Sequence, residues 1–166
     1  MENTKCCEDE KLAEFRENFE SLKNKYSLPN FEELCKDFDI EKSFEKESSF
    51  LLREIRRTMT EKISSVLHLF ENLINPSSPP MFIFAGLKKL EENDKKRIKE
   101  IYKIFARLQI KSMKCDSIYS EENEVFVITE IFIKWQEIKQ DIFKILDKFE
   151  NALDEENNYS DKSYFR

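Results

Sequence analysis

Apolar residues recur along this chain at intervals of three and four, the spacing that lines up one face of a helix. Leu12, Phe15, Phe19, Leu22 and Tyr26 form the first such stripe, over residues 8–26, and Pro29 ends it. Asn30, followed three positions later by Glu33, has the form of a capping box and opens a short helix over Phe31, Leu34, Cys35 and Phe38. The longest stripe runs from about residue 45 to Asn75 through Leu52, Ile55, Met59, Ile63, Val66, Phe70 and Leu73, with no Gly or Pro inside it. NPSSPP, residues 75–80, holds three of the four prolines and breaks the pattern. MFIFAGLKKL follows, with the only glycine, Gly86, and its spacing leaves residues 81–87 open between helix and strand. Asp94 is placed to cap a helix over residues 95–114 that packs through Ile98, Ile101, Phe105 and Leu108. The last stripe runs from about Glu121 to Leu153 through Ile128, Ile131, Trp135, Ile138, Ile142, Ile145 and Phe149. Its opening, EVFVITEIFI, is β-branched and also fits a strand, but the period continues unbroken into the following segment, which favours helix.

Each stripe needs a partner to bury against, and the turns are short. The expectation is an all-α fold: an antiparallel helical bundle of about four long helices plus one short helix, forming one domain over residues 1–153. Residues 154–166 read as a polar, frayed tail.

Composition agrees with this reading. One Gly and four Pro leave too few turn residues for a many-stranded β fold, and a 40% hydrophobic fraction with fifteen Phe argues against disorder. The opening MENTKCCEDEK is acidic with no apolar run, unlike a secretory signal, and no stretch approaches the roughly 20 apolar residues of a spanning helix. A cytoplasmic protein is expected. Cys6, Cys7, Cys35 and Cys115 lack C-x-x-C spacing and read as reduced thiols.

Charge is segregated along the chain. Residues 1–47 carry 8 basic and 14 acidic groups, residues 76–119 carry 10 and 5, and residues 120–166 carry 6 and 12. Within the basic middle, Lys96, Lys99, Lys103, Arg107, Lys111 and Lys114 fall within roughly 60° of one direction at about 100° per residue, opposite the apolar stripe. In FLLREIRRTMTEKI, Arg53, Arg56 and Arg57 gather three of the chain's seven arginines. Arg53 and Arg57 point away from the core, and Arg56 sits at the stripe's edge, its stem packing while the guanidinium reaches out. A planar fork binds carboxylate or phosphate bidentately, so arginine in a lysine-rich chain implies that geometry matters there. These arginines either clamp acids of neighbouring helices or, with Lys96, Lys99, Lys103, Arg107 and Lys111, bind an anion or a partner.

The motifs of common enzymes are missing. His68 is the only histidine, and Ser65 stands three residues before it, so the Glu-x-x-His pairs of a di-iron bundle cannot form. One glycine allows no phosphate-cradling loop and no G-x-S-x-G elbow. No metal or cofactor is implied, and the reading leans away from an enzyme, although an acid-only site is left open. Trp135 reads as a core anchor, and MFIFAGL either folds over the bundle's end or marks a partner site.

LPNFEEL through FLLREIRRTMTEKI, together with FIKWQEIKQDI, resembles a group of small, all-helical, uncharacterised archaeal proteins. The resemblance implies a cytosolic helical protein and brings no activity or site residues with it. The expected function is protein–protein interaction, or self-association, through the basic surface; RNA on that surface is the alternative.

Overall fold

The computed structural model describes residues 2–41, 50–76 and 80–160, with side chains described throughout these ranges except at 2–12, 81–82 and 155–160. Six helices and no strand occur among the described residues: α1 Glu2–Tyr26, α2 Phe31–Phe38, α3 Leu51–Ile74, α4 Met81–Lys89, α5 Glu92–Ser117 and α6 Glu121–Ser160. The fold is an all-α bundle. The two segments that could have been strands, 81–87 and 124–133, are both helical, so there are two short helices, α2 and α4. Residues 45–49 of the expected third helix and 77–79 of the proline break lie outside the described residues, as do 161–166 of the expected tail. α6 continues past Leu153 to Ser160.

Local chemistry sets several boundaries, sometimes by another route than expected. Asn30 stands at the N-cap of α2, but its side chain makes no cap bond. α2 ends where Asp39 turns left-handed at φ 55°, its N–H donating to the Cys35 carbonyl at 2.9 Å. Asp94 does not cap α5 from outside. It lies in the first turn and accepts from the Glu91 N–H at 2.8 Å, while the Glu91 carbonyl takes the first helical bond from Lys95. This is the reach-back half of a capping box with Glu91 as the N-cap. Ser120 caps α6, its Oγ accepting from the Asn123 N–H at 3.4 Å and its carbonyl from the Glu124 N–H at 3.0 Å.

The chain divides into two compact units, Met1–Ser64 with Arg107–Ile133, and Ser65–Ala106 with Lys134–Arg166; α3, α5 and α6 contribute to both. In the first unit Phe15, Phe19, Phe31, Leu52, Ile55, Met59, Ile63, Ile128 and Ile131 are buried. Phe31 meets Phe15 and Phe19 edge-on, with ring centroids 5.8 and 5.2 Å apart. In the second unit the core holds Phe70, Ile98, Ile101, Phe105, Trp135, Ile138, Ile142, Ile145 and Phe149. Trp135 is the anchor expected, stacked on Phe105 at 6.2 Å. There α5 and α6 run antiparallel: Asp94, Arg97 and Phe105 meet Lys148, Asp141 and Trp135 in reverse order. α4 lies against α6 so closely that a Cβ added at Gly86 would overlap the ring of Phe149. Ile83 and Ala85 of α4 are also buried, so the helix packs inward, although Phe84 stays 46% exposed.

Candidate functional site

Three helices of the first unit converge on Arg56. Its side chain is fully buried, as is that of Glu124, and the two form an ion pair from Nε to Oε2 at 2.5 Å. Nη1 donates to the Ser112 hydroxyl, and Nη2 donates to Asp116 Oδ1 at 2.7 Å. Every nitrogen of the fork therefore has its own acceptor, two on α5 and one on α6. Thr60 Oγ1 donates to the Arg56 carbonyl at 2.7 Å and lies 2.8 Å from Ser112 Oγ. With the Thr60 proton committed to that carbonyl, the Ser112 hydroxyl donates to Thr60 while accepting from Arg56, so the network closes.

The outer arginines frame this buried pair. Arg53 is partly buried, reaches the other Glu124 oxygen at 3.5 Å, and lies over the rings of Tyr119 and Phe50 at 4.8 and 5.5 Å. Arg57 is exposed; its Nε and Nη2 share Asp116 Oδ1 at 3.1 Å each, and Nη1 reaches Glu54 at 3.3 Å. Three guanidiniums thus face three carboxylates. The expectation that the Arg56 guanidinium reaches out is overturned: it turns inward because Glu124, Ser112 and Asp116 supply a complete set of acceptors there.

The electrostatics follow from this geometry. Burial works against the Arg56 charge, but Glu124 and Asp116 outweigh it and hold its pKa above the ordinary guanidinium value. Burial likewise pushes the Asp116 carboxyl up, and Arg56 and then Arg57 overcome it, holding the group below the usual carboxylate range. Beside this network, burial and the Glu124 charge push the Cys115 thiol up. Cys35 and Cys115 are both free, and burial pushes the Cys35 thiol up to about 12, so neither is an activated nucleophile.

The basic residues of α5 are arranged differently. In the second unit Lys96, Lys99 and Lys103 are exposed, and among the described residues none of them forms an ion pair or hydrogen bond. Glu92 is held below the usual carboxylate range chiefly by Lys95, with smaller contributions from Lys96 and Lys99. In the first unit Arg107 is exposed. Lys111 is bound to both oxygens of Glu130 at 2.6 Å and lies 5.2 Å from the centre of the Phe126 ring. His68 is exposed, as its position on α3 implied.

Sequence reasoning missed Glu124, Ser112 and Asp116, although a signal was there for two of them. Glu124 stands in register with Ile128 and Ile131, and Ser112 with Phe105 and Leu108. A polar residue in the apolar register on each of two helices marks a buried polar cluster that a third helix must satisfy. Among the described residues no group of three or more His, Cys, Asp and Glu is placed to hold a metal ion, and no helix is long and apolar enough to cross a membrane. Comparison of the chain with family models, curated proteins and solved structures returned no match.

Proposed function

We propose that the chain is a cytoplasmic helical-bundle binding protein that engages an acidic protein partner through the outer face of α5 in the second unit. The observation that carries this reading is the set Lys96, Lys99 and Lys103: three exposed ammonium groups at helical spacing, with no ion pair among the described residues. Exposed ammonium groups steer an anionic partner and set its orientation. The arginines of α3 belong to the first unit, where the chain's own carboxylates meet their charge. The net charge of −6 weighs most against RNA, whose backbone carries a charge at every nucleotide, and less against a protein whose acidic groups are confined to a patch.

The test is affinity capture with the full chain and with a Lys96→Gln, Lys99→Gln, Lys103→Gln variant. The expected result is an acidic protein that salt releases and that the variant fails to hold. A salt-insensitive complex retained by the variant overturns the reading. Co-purifying RNA, released by nuclease and lost from the variant, replaces the protein partner with nucleic acid on the same surface.

A further inference from the structure

In the first unit, α5 and α6 part near their connecting loop and leave an open-sided cleft of about 360 Å³. Its size is that of a small-molecule site. Cys115 and Val127 are buried at its floor, while Ile118 and Phe126 on its rim are 75% and 58% exposed. Cys115 Sγ lies 3.8 Å from the Asn123 carbonyl across the loop, which ties the two walls together. Two ammonium groups border this apolar surface, and they are not equivalent. Lys111 is neutralised by both oxygens of Glu130. Lys114 is exposed, and no described carboxylate pairs with it.

The cleft therefore offers an apolar body and one unmet positive charge. We infer that it is a binding site for a monomeric aliphatic monocarboxylate, its chain against Ile118, Phe126 and Val127 and its carboxylate on Lys114. A single unpaired ammonium matches a single negative charge, and apart from the two lysines and the Cys115 thiol the lining offers only the Asn123 side chain to satisfy a polyhydroxylated ligand. Burial and Glu124 keep the Cys115 thiol protonated, so the floor brings no negative charge to compete for Lys114. This site is separate from the α5 lysines of the second unit, and neither reading depends on the other.

The test is titration calorimetry of the full chain with sodium laurate below its micelle-forming concentration. It is paired with displacement of anilinonaphthalene sulfonate, itself an apolar monoanion. The expected result is saturable binding of one laurate per chain. Lys114→Glu and Phe126→Ser, both at exposed positions, should leave the far-ultraviolet spectrum unchanged and each weaken binding by about tenfold or more. Lys96→Glu, an identical charge change outside the cleft, should leave binding unchanged. Acetate and dodecanol, which supply only the charge or only the chain, should bind at least about tenfold more weakly than laurate. The inference is overturned by the absence of saturable binding, or by laurate binding that both cleft variants retain. Association with phosphatidylglycerol vesicles in place of monomeric laurate would overturn it equally.

Discussion

On α3, Arg56 sends each of its three nitrogens to a different oxygen of its own chain. On α5 in the second unit, Lys96, Lys99 and Lys103 stand exposed with no ion pair among the described residues. Both groups carry the same charge at helical spacing, so sign and periodicity do not distinguish them. The difference lies in the head group and in what faces it. A guanidinium can be taken out of water where a rigid set of acceptors replaces its hydration, because its fork keeps each donor aimed. An ammonium is more strongly hydrated, and those of Lys96, Lys99 and Lys103 stay in solvent. Here the charge taken inside is that of Arg56, and the charges displayed without an ion pair are those of Lys96, Lys99 and Lys103.

The comparison breaks most sharply at Arg56→Ala. The substitution leaves Glu124 buried with its main partner gone, so a loss of about 3–5 kcal/mol is expected, read as a lowered midpoint in urea unfolding. Arg56→Met combined with Glu124→Leu should recover most of that loss, because a buried ion pair replaced by packed apolar groups is often neutral. If the single variant falls by less than about 1 kcal/mol, the network does not hold the first unit together. Arg56→Lys keeps the charge but has no fork with which to hold Glu124, Ser112 and Asp116 together. It should cost about 1–3 kcal/mol, less than the alanine variant, since the ammonium can still neutralise Glu124.

Much of the fold can be read from spacing alone, because burial of a helix stripe is a local property of the sequence. Leu52, Ile55, Met59 and Ile63 of α3 and Ile128, Ile131, Trp135 and Ile138 of α6 are all buried. The stripes are not buried at every position: Val66 is only partly buried and Leu153 is 38% exposed. EVFVITEIFI shows tertiary context overriding propensity, its β-branched residues held helical by continuity with the core register that follows. The orientation of Arg56 could not be read this way. On a helical wheel it lies at the margin of the stripe, where a long side chain can turn either way. Its partners Ser112, Asp116 and Glu124 are 56, 60 and 68 residues distant, so their proximity is set by helix pairing rather than by any local pattern.

Asp116 adds a pH dependence to the contrast. Its folded pKa lies below the unfolded value because the two arginines favour the ionised form over the cost of burial. The stability it contributes is therefore present above the unfolded value of about 3.9 and is lost as pH falls through the lower folded value. Asp116→Asn should flatten the acid limb of the stability profile. At pH 7 its cost should be no more than about 1 kcal/mol, since the carboxylate is substantially exposed and screened. Equal acid limbs for the variant and the parent chain would show that Asp116 takes no part in the linkage.

The smallest stability effect belongs to the displayed lysines, and its smallness is the informative part. Lys96, Lys99 and Lys103 have no described ion pair to lose, so exchanging each for Gln should move the unfolding free energy by no more than about 0.5 kcal/mol per site. Removing three cations from a chain of net charge −6 raises self-repulsion slightly, so any change should be a small destabilisation that added salt erases. If the triple variant instead lost as much stability as Arg56→Lys, these ammonium groups would be internal clamps like the arginines, and the distinction between an internal and a displayed basic group would fail. If stability holds while capture of an acidic partner is lost, the lysines are freed from any structural duty, and the charge they display serves the partner alone.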